Sequence, residues 1–139
     1  MEPSREVDEL ARAVIGAALE VHRAPGPGYQ EAIYEEALAF ELAQIGVEFE
    51  RERVFRVNYK EHVVGEGRID FLVGGKLVVE LKAIEKLQPV HKAQVISYLK
   101  ATSCQLGLLI DFNESLLRSG VQRIVYTDDA WRHGALAAN

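Results

Sequence analysis

Glu80, Leu81 and Lys82 close a strongly apolar run, and a strand period of two puts the carboxylate and the ammonium on one face with Leu81 turned to the other. An acid and a base are then presented together. Asp70 precedes them across Gly74 and Gly75, and a hairpin turning at those glycines brings Asp70 back beside Glu80. Carboxylates so placed repel each other unless one keeps its proton or a cation lies between them. Hard oxygen donors of this kind suit magnesium or manganese, ions that retain several waters and take up phosphate oxygens of a substrate. A surface ion pair is the plain alternative for Glu80 and Lys82 taken alone. Their position at the end of an apolar strand argues against it, because polar side chains there need a reason.

Two helices offer further polar groups. Glu31 lies three residues before Tyr34 and four before Glu35, so it can share a helix face with either. Gln94 and Tyr98, four apart, project from one stripe of a later helix. Taken alone, each of these fits a solvated or hydrogen-bonded helix surface as well as a site.

The elements that must position these residues can be read along the chain. Val7, Leu10, Ala11, Val14, Ile15, Ala18 and Val21 recur at helical spacing after a capping Ser4, and the run from Ala24 to Gly28 stops that helix. A second helix is predicted from Tyr29 to about Ile45, with Ile33, Ala37, Leu38 and Leu42 on one face and Gly46 at its end. Alternation then marks strands over Phe49 to Tyr59, Val63 to Val73 and Lys76 to Lys82, joined as antiparallel hairpins, with a bulge or break expected at Gly65 and Gly67. Pro89 opens a third helix to about Thr102, and strands follow over Leu106 to Phe112 and Val121 to Tyr126.

A length of 139 residues with 48% hydrophobic content supports one domain with one sizeable core. The single cysteine, Cys104, can form neither an internal disulfide nor a cysteine metal cluster, which fits a reducing compartment. No signal peptide or membrane-length apolar run is evident, so a soluble cytoplasmic protein is expected. Sixteen basic against twenty-one acidic residues give a net charge of -5, which opposes indiscriminate attraction to a polyanion and requires any phosphate site to be local. His22, His62, His91 and His133 lack the close pairing of a zinc site, and Gly26 and Gly28 lack the lysine and hydroxyl residue that complete a P-loop.

Gly28, Glu31 and Tyr34 spell GxxExxY, the signature of a family of small bacterial proteins that resembles the PD-(D/E)XK nucleases. Asp70, the pair Glu80 and Lys82, and a QxxxY arrangement of Gln94 and Tyr98 follow in the order of that superfamily's exonuclease-type branch. Ile69 departs from the pattern, standing where the superfamily's name has proline. The resemblance implies an α/β (α+β) fold with a restriction-endonuclease-like core, a central mixed sheet of four to five strands flanked by helices. It implies a single domain over residues 1–130, beyond which residues 131–139 are expected to form a flexible tail.

The same resemblance implies that Glu31, Asp70 and Glu80, with the backbone carbonyl of Leu81, ligate magnesium or manganese, and that Lys82 sits beside the attacking water. Gln94 and Tyr98 would orient Lys82 or the substrate phosphate, and Tyr34 would support the helix-borne acid. The implied substrate is nucleic acid, DNA before RNA, with a homodimer or a larger assembly as the expected means of gripping it. Lys86, His91 and Lys92 are candidate phosphate contacts, with solvated surface charge the commoner role. The alternative is a non-catalytic binding module of the same fold in a repair or defence assembly.

Overall fold

A computed structural model describes residues 3–126 of the chain, so the expected tail at 131–139 and His133 lie outside the described residues. Helix α1 (Arg5–Arg23) starts at Ser4, whose hydroxyl accepts the Val7 N–H at 3.3 Å, and acidic Glu6 and Asp8 occupy its first turn, where the helix dipole favours them. Helix α2 (Glu31–Gln44) begins two residues later than the sequence pattern implies. Its buried face carries Tyr34, Leu38 and Leu42, whereas Ile33 is exposed. The apolar count alone missed this, because Tyr34, with its polar tip, is the residue that sets the inward face.

Strands β1 (Phe49–Tyr59), β2 (His62–Val73) and β3 (Leu77–Lys82) run as consecutive antiparallel hairpins. Helix α3 (Pro89–Thr102) then crosses over to β4 (Leu106–Asp111), which lies parallel to β3, and β5 (Val121–Val125) returns antiparallel to β4. The result is a mixed five-stranded sheet in the order β1-β2-β3-β4-β5. Strands β3 and β4 are covered on both faces, which is why they read as unbroken apolar runs. On one face, Phe71, Val79, Leu81, Leu108 and Ile110 pack against α1 and α2; on the other, Leu72, Val78, Leu109 and Ile124 meet Val95, Tyr98 and Leu99 of α3. A short 3-10 turn over Leu117–Gly120, absent from the sequence reading, joins β4 to β5.

Gly65 and Gly67 do not break β2. Gly67 lies under the ring of Phe55, leaving no room for a Cβ, and the expected bulge falls beside Gly65: Val57 and Asn58 of β1 pair with Gly65 and Val63, which leaves Val64 of β2 as the extra residue. Beyond its pairing with β3, β2 continues with β1 as a two-stranded ribbon whose residues are largely exposed. Among the described residues, no helix is long and apolar enough to cross a membrane.

Candidate functional site

The ladder between β2 and β3 comprises Val73↔Leu77, Leu72↔Val78 and Phe71↔Val79, and the next opposed pair in that register is Asp70 and Glu80. Here the strands part. The backbone bonds that would continue the ladder are replaced by side chains: Asp70 Oδ2 accepts the Leu81 N–H at 2.8 Å and Glu80 Oε1 accepts the Asp70 N–H at 3.3 Å. On the other side of β2, the pairs Arg51↔Phe71 and Arg53↔Ile69 bracket Asp70 without including it, and Glu52, across from it, takes a left-handed φ of 51°. Strand alternation also breaks at this point, since Ile69 packs on the α3 side while Phe71 packs on the α1 side. Asp70 therefore stands where β2 changes face and leaves β3.

Lys82 follows Glu80 on the same face of β3, with its Nζ 4.0 Å from Glu80 Oε2 and 17% of its side chain exposed. Leu81 turns to the opposite, buried layer. Because the Lys82 carbonyl accepts the Phe112 N–H of the β4 side at 2.8 Å, and successive carbonyls of a strand face opposite edges, that of Leu81 faces the fork.

Glu31 occupies the first turn of α2, and its charge is felt by both Asp70 and Glu80. The loop that delivers it is fixed by Tyr34. The Tyr34 hydroxyl donates to the Gly26 carbonyl at 2.6 Å and accepts the Tyr29 N–H at 3.1 Å, and its ring stacks on Phe112 with centroids 4.7 Å apart. Gly28 supplies a φ of 111° in that loop, a value closed to most side chains. The spacing of Gly28, Glu31 and Tyr34 thus has a local meaning: a bend, an acid at the helix start, and a phenol that clamps the bend.

On the far layer, Tyr98 is 7% exposed, packs edge-on against Phe55, and senses the charges of Glu80 and Asp70. Gln94 is half-buried one turn earlier, and its backbone carbonyl accepts a hydrogen bond from Ser97 Oγ at 2.7 Å. His91 is engaged elsewhere, its Nδ1 accepting the Gln88 N–H at 2.8 Å in a reciprocal cap of α3, while Lys86 and Lys92 are exposed. Two further acids, Glu35, which the sequence shows only as a neighbour of Glu31, and Asp111, also have places here. Glu35 accepts both the Nη2 and Nε of Arg51, at 2.8 and 3.3 Å, tying α2 to β1 beside Asp70. Asp111, fully buried at the end of β4, lies in register with Lys82. It carries the same signal that exposed Glu80, a charge ending an apolar strand.

Burial, reinforced by the Asp70 charge, pushes the Glu80 carboxyl up to about 8. Burial also raises Asp70, opposed by the Leu81 N–H it accepts and aided by Glu31. Glu31 is raised by burial, with Lys82 pulling it back and Glu35 pushing it further. Tyr98 is pushed up to about 12, first by burial and then by the two carboxylates. Glu31, Asp70 and Glu80 are thus each held above their ordinary values, with the Lys82 ammonium offsetting only part of the rise.

Among the described residues no group of three His, Cys, Asp or Glu side chains is gathered as a metal cage. Magnesium does not require one, because it binds through one or two carboxylates and otherwise through water and phosphate oxygens. Paired carboxylates that repel when ionised, beside a strand carbonyl, are a donor set that fits such an ion.

Neither curated proteins nor solved structures yield a match to this chain. A sequence profile of the PD-(D/E)XK nuclease superfamily matches residues 8–124, a span that runs from α1 into β5 and takes in the fork and every residue placed around it. With an acid on each of two parting strands and a lysine two residues beyond the second, the chain belongs to the PD-(D/E)XK nuclease superfamily.

Proposed function

We propose that the chain is a divalent-metal-dependent nuclease that hydrolyses phosphodiester bonds of nucleic acid, working from the fork between β2 and β3. The observation that carries this reading is the meeting of Asp70 and Glu80 where their strands separate, with the Lys82 ammonium on the face of Glu80. Glu31, Asp70, Glu80 and the Leu81 carbonyl are the groups that would hold magnesium or manganese. Such an ion, when bound, lowers the pKa of a coordinated water and withdraws charge from phosphate oxygens.

The remaining work falls to the chain itself. Lys82, held largely out of water, offers a positive charge to the phosphate as negative charge builds on its oxygens. Tyr98 keeps its proton across the working pH range and so remains a hydrogen-bond donor toward the acids or the substrate. Gln94, half-buried one turn away, carries an amide that would direct a phosphate or the lysine. Together these two residues support a place near the exonuclease-like branch of the superfamily. Tyr34 acts at one remove, by fixing the loop that carries Glu31.

The test is a panel of single- and double-stranded DNA and RNA, incubated with magnesium or manganese and either wild type or Lys82→Ala. Loss of one preorganised charge should slow cleavage by about 10²–10³-fold. Equal cleavage by both proteins would remove the lysine from the chemistry. Metal-dependent nucleic-acid binding with no cleavage by either would favour a binding module instead.

A further inference from the structure

Asp111 is buried completely, yet only half of its carboxylate is used. Oδ1 accepts the N–H of Ile84 and that of Asn113, both at 3.1 Å, and so fastens the segments that leave β3 and β4. Oδ2 has no hydrogen-bond partner among the described residues. A buried carboxylate oxygen left without a donor is costly, and a native structure keeps one only where something else uses it.

The register shows what can use it. Asp111 is the direct partner of Lys82 in the parallel ladder, so the two side chains rise from neighbouring strands on one face of the sheet. Lys82 at present leans toward Glu80, at a 4.0 Å separation that is long for a charge-assisted hydrogen bond. An acid thus stands on either side of the lysine: Glu80 two residues back on its own strand and Asp111 in register on the neighbouring one.

These two positions differ in what else they serve. Glu80 is a ligand in the reading proposed above, and a divalent cation there repels a neighbouring ammonium. Asp111 is removed from the fork by a strand and is already fixed by its two N–H donors. We propose that Asp111 is a positioning residue, an alternative counter-ion that receives Lys82 when Glu80 turns to a metal ion. The lysine is thereby held close to the phosphate without competing for the ligand. This inference rests on the metal-binding reading of Asp70 and Glu80.

The test is magnesium affinity, measured by calorimetry on the full chain in the absence of nucleic acid. Asp111→Asn keeps an oxygen for the Ile84 and Asn113 N–H groups, so the loops stay fastened while the charge is lost. Binding should weaken about tenfold, as for other outer-sphere partners of metal ligands. In a Lys82→Met background the same substitution should have no effect, because no ammonium needs a second partner. Unchanged affinity in Asp111→Asn, or an equal loss in both backgrounds, would overturn the proposal, the latter reducing Asp111 to a distant negative charge. Should Asp111→Asn fail to fold, side-chain NMR of the wild type decides. Magnesium should then produce a slowly exchanging, hydrogen-bonded Lys82 ammonium, and its absence overturns the proposal. Failure of wild type to bind magnesium or manganese at all would instead strike the underlying reading of the fork.

Discussion

Glu80→Gln should make the metal-free protein more stable in alkaline solution and leave it nearly unchanged in acid. With its carboxyl raised from 4.5 to about 8, Glu80 binds its proton more tightly in the folded protein than in the open chain. Stability from this group is therefore complete below about pH 4.5 and is lost as pH rises through the window up to about 8. At ~1.4 kcal/mol per pH unit, the loss between about pH 5 and pH 9 comes to ~4 kcal/mol, or a fall of roughly 14 °C in thermal midpoint for a domain of this size. Glutamine cannot ionise, yet its amide oxygen can still accept the Asp70 N–H, so the variant should lack this component of the pH dependence. Urea or thermal melts from pH 5 to 9 in a chelator measure both proteins. Because Asp70 interacts with Glu80, the midpoint belongs to the pair, and Asp70→Asn should move the wild-type transition to lower pH. Identical pH profiles for wild type and Glu80→Gln would refute the claim that burial, aided by the Asp70 charge, raises this carboxyl.

Two further substitutions test the supports of the site. Tyr34→Phe leaves the Gly26 carbonyl and the Tyr29 N–H without their partner and should lower stability by ~1–3 kcal/mol, with a larger loss of magnesium affinity than stability alone explains; an unchanged urea midpoint would count against the clamp. Gly120→Ala forces a Cβ onto the Asp111 carbonyl oxygen, and a shift there should cost ~1–3 kcal/mol and broaden the NMR signals of Asn113 and Ile84; a variant as stable as wild type would show that the turn gives way freely.

Much of this arrangement was legible in the residues themselves. Strands β3 and β4 announce themselves because a strand covered on both faces must be apolar throughout, and a charge in such a strand then stands out. The glycines at 74 and 75, with φ of 59° and 70°, fix the hairpin that opposes Asp70 to Glu80. Other features depend on contacts distant in sequence. Nothing local shows that Glu35 answers Arg51 across sixteen residues or that a phenol at 34 reaches a carbonyl at 26. Ile33 was misread for a related reason, since helical spacing gives a face but only packing against the sheet selects which one is buried. The bulge expected around Gly65 and Gly67 is present at Val64, beside the first glycine, whereas the second lies under an aromatic ring of the partner strand within the continuous ladder. Asp111 was readable by the criterion applied to Glu80, but its partner Lys82 becomes visible only once β4 is known to run parallel to β3.

The exchange of backbone for side-chain hydrogen bonds at the parting of β2 and β3 bears on how an inert control protein should be built. Truncating Asp70 or Glu80 to alanine strips a fastener from the sheet along with a proposed ligand, so a silent variant of either kind conflates lost chemistry with a loosened scaffold. Among the described residues the Lys82 side chain makes no such hydrogen bond across the fork, which makes its replacement the cleaner test of the proposed reaction.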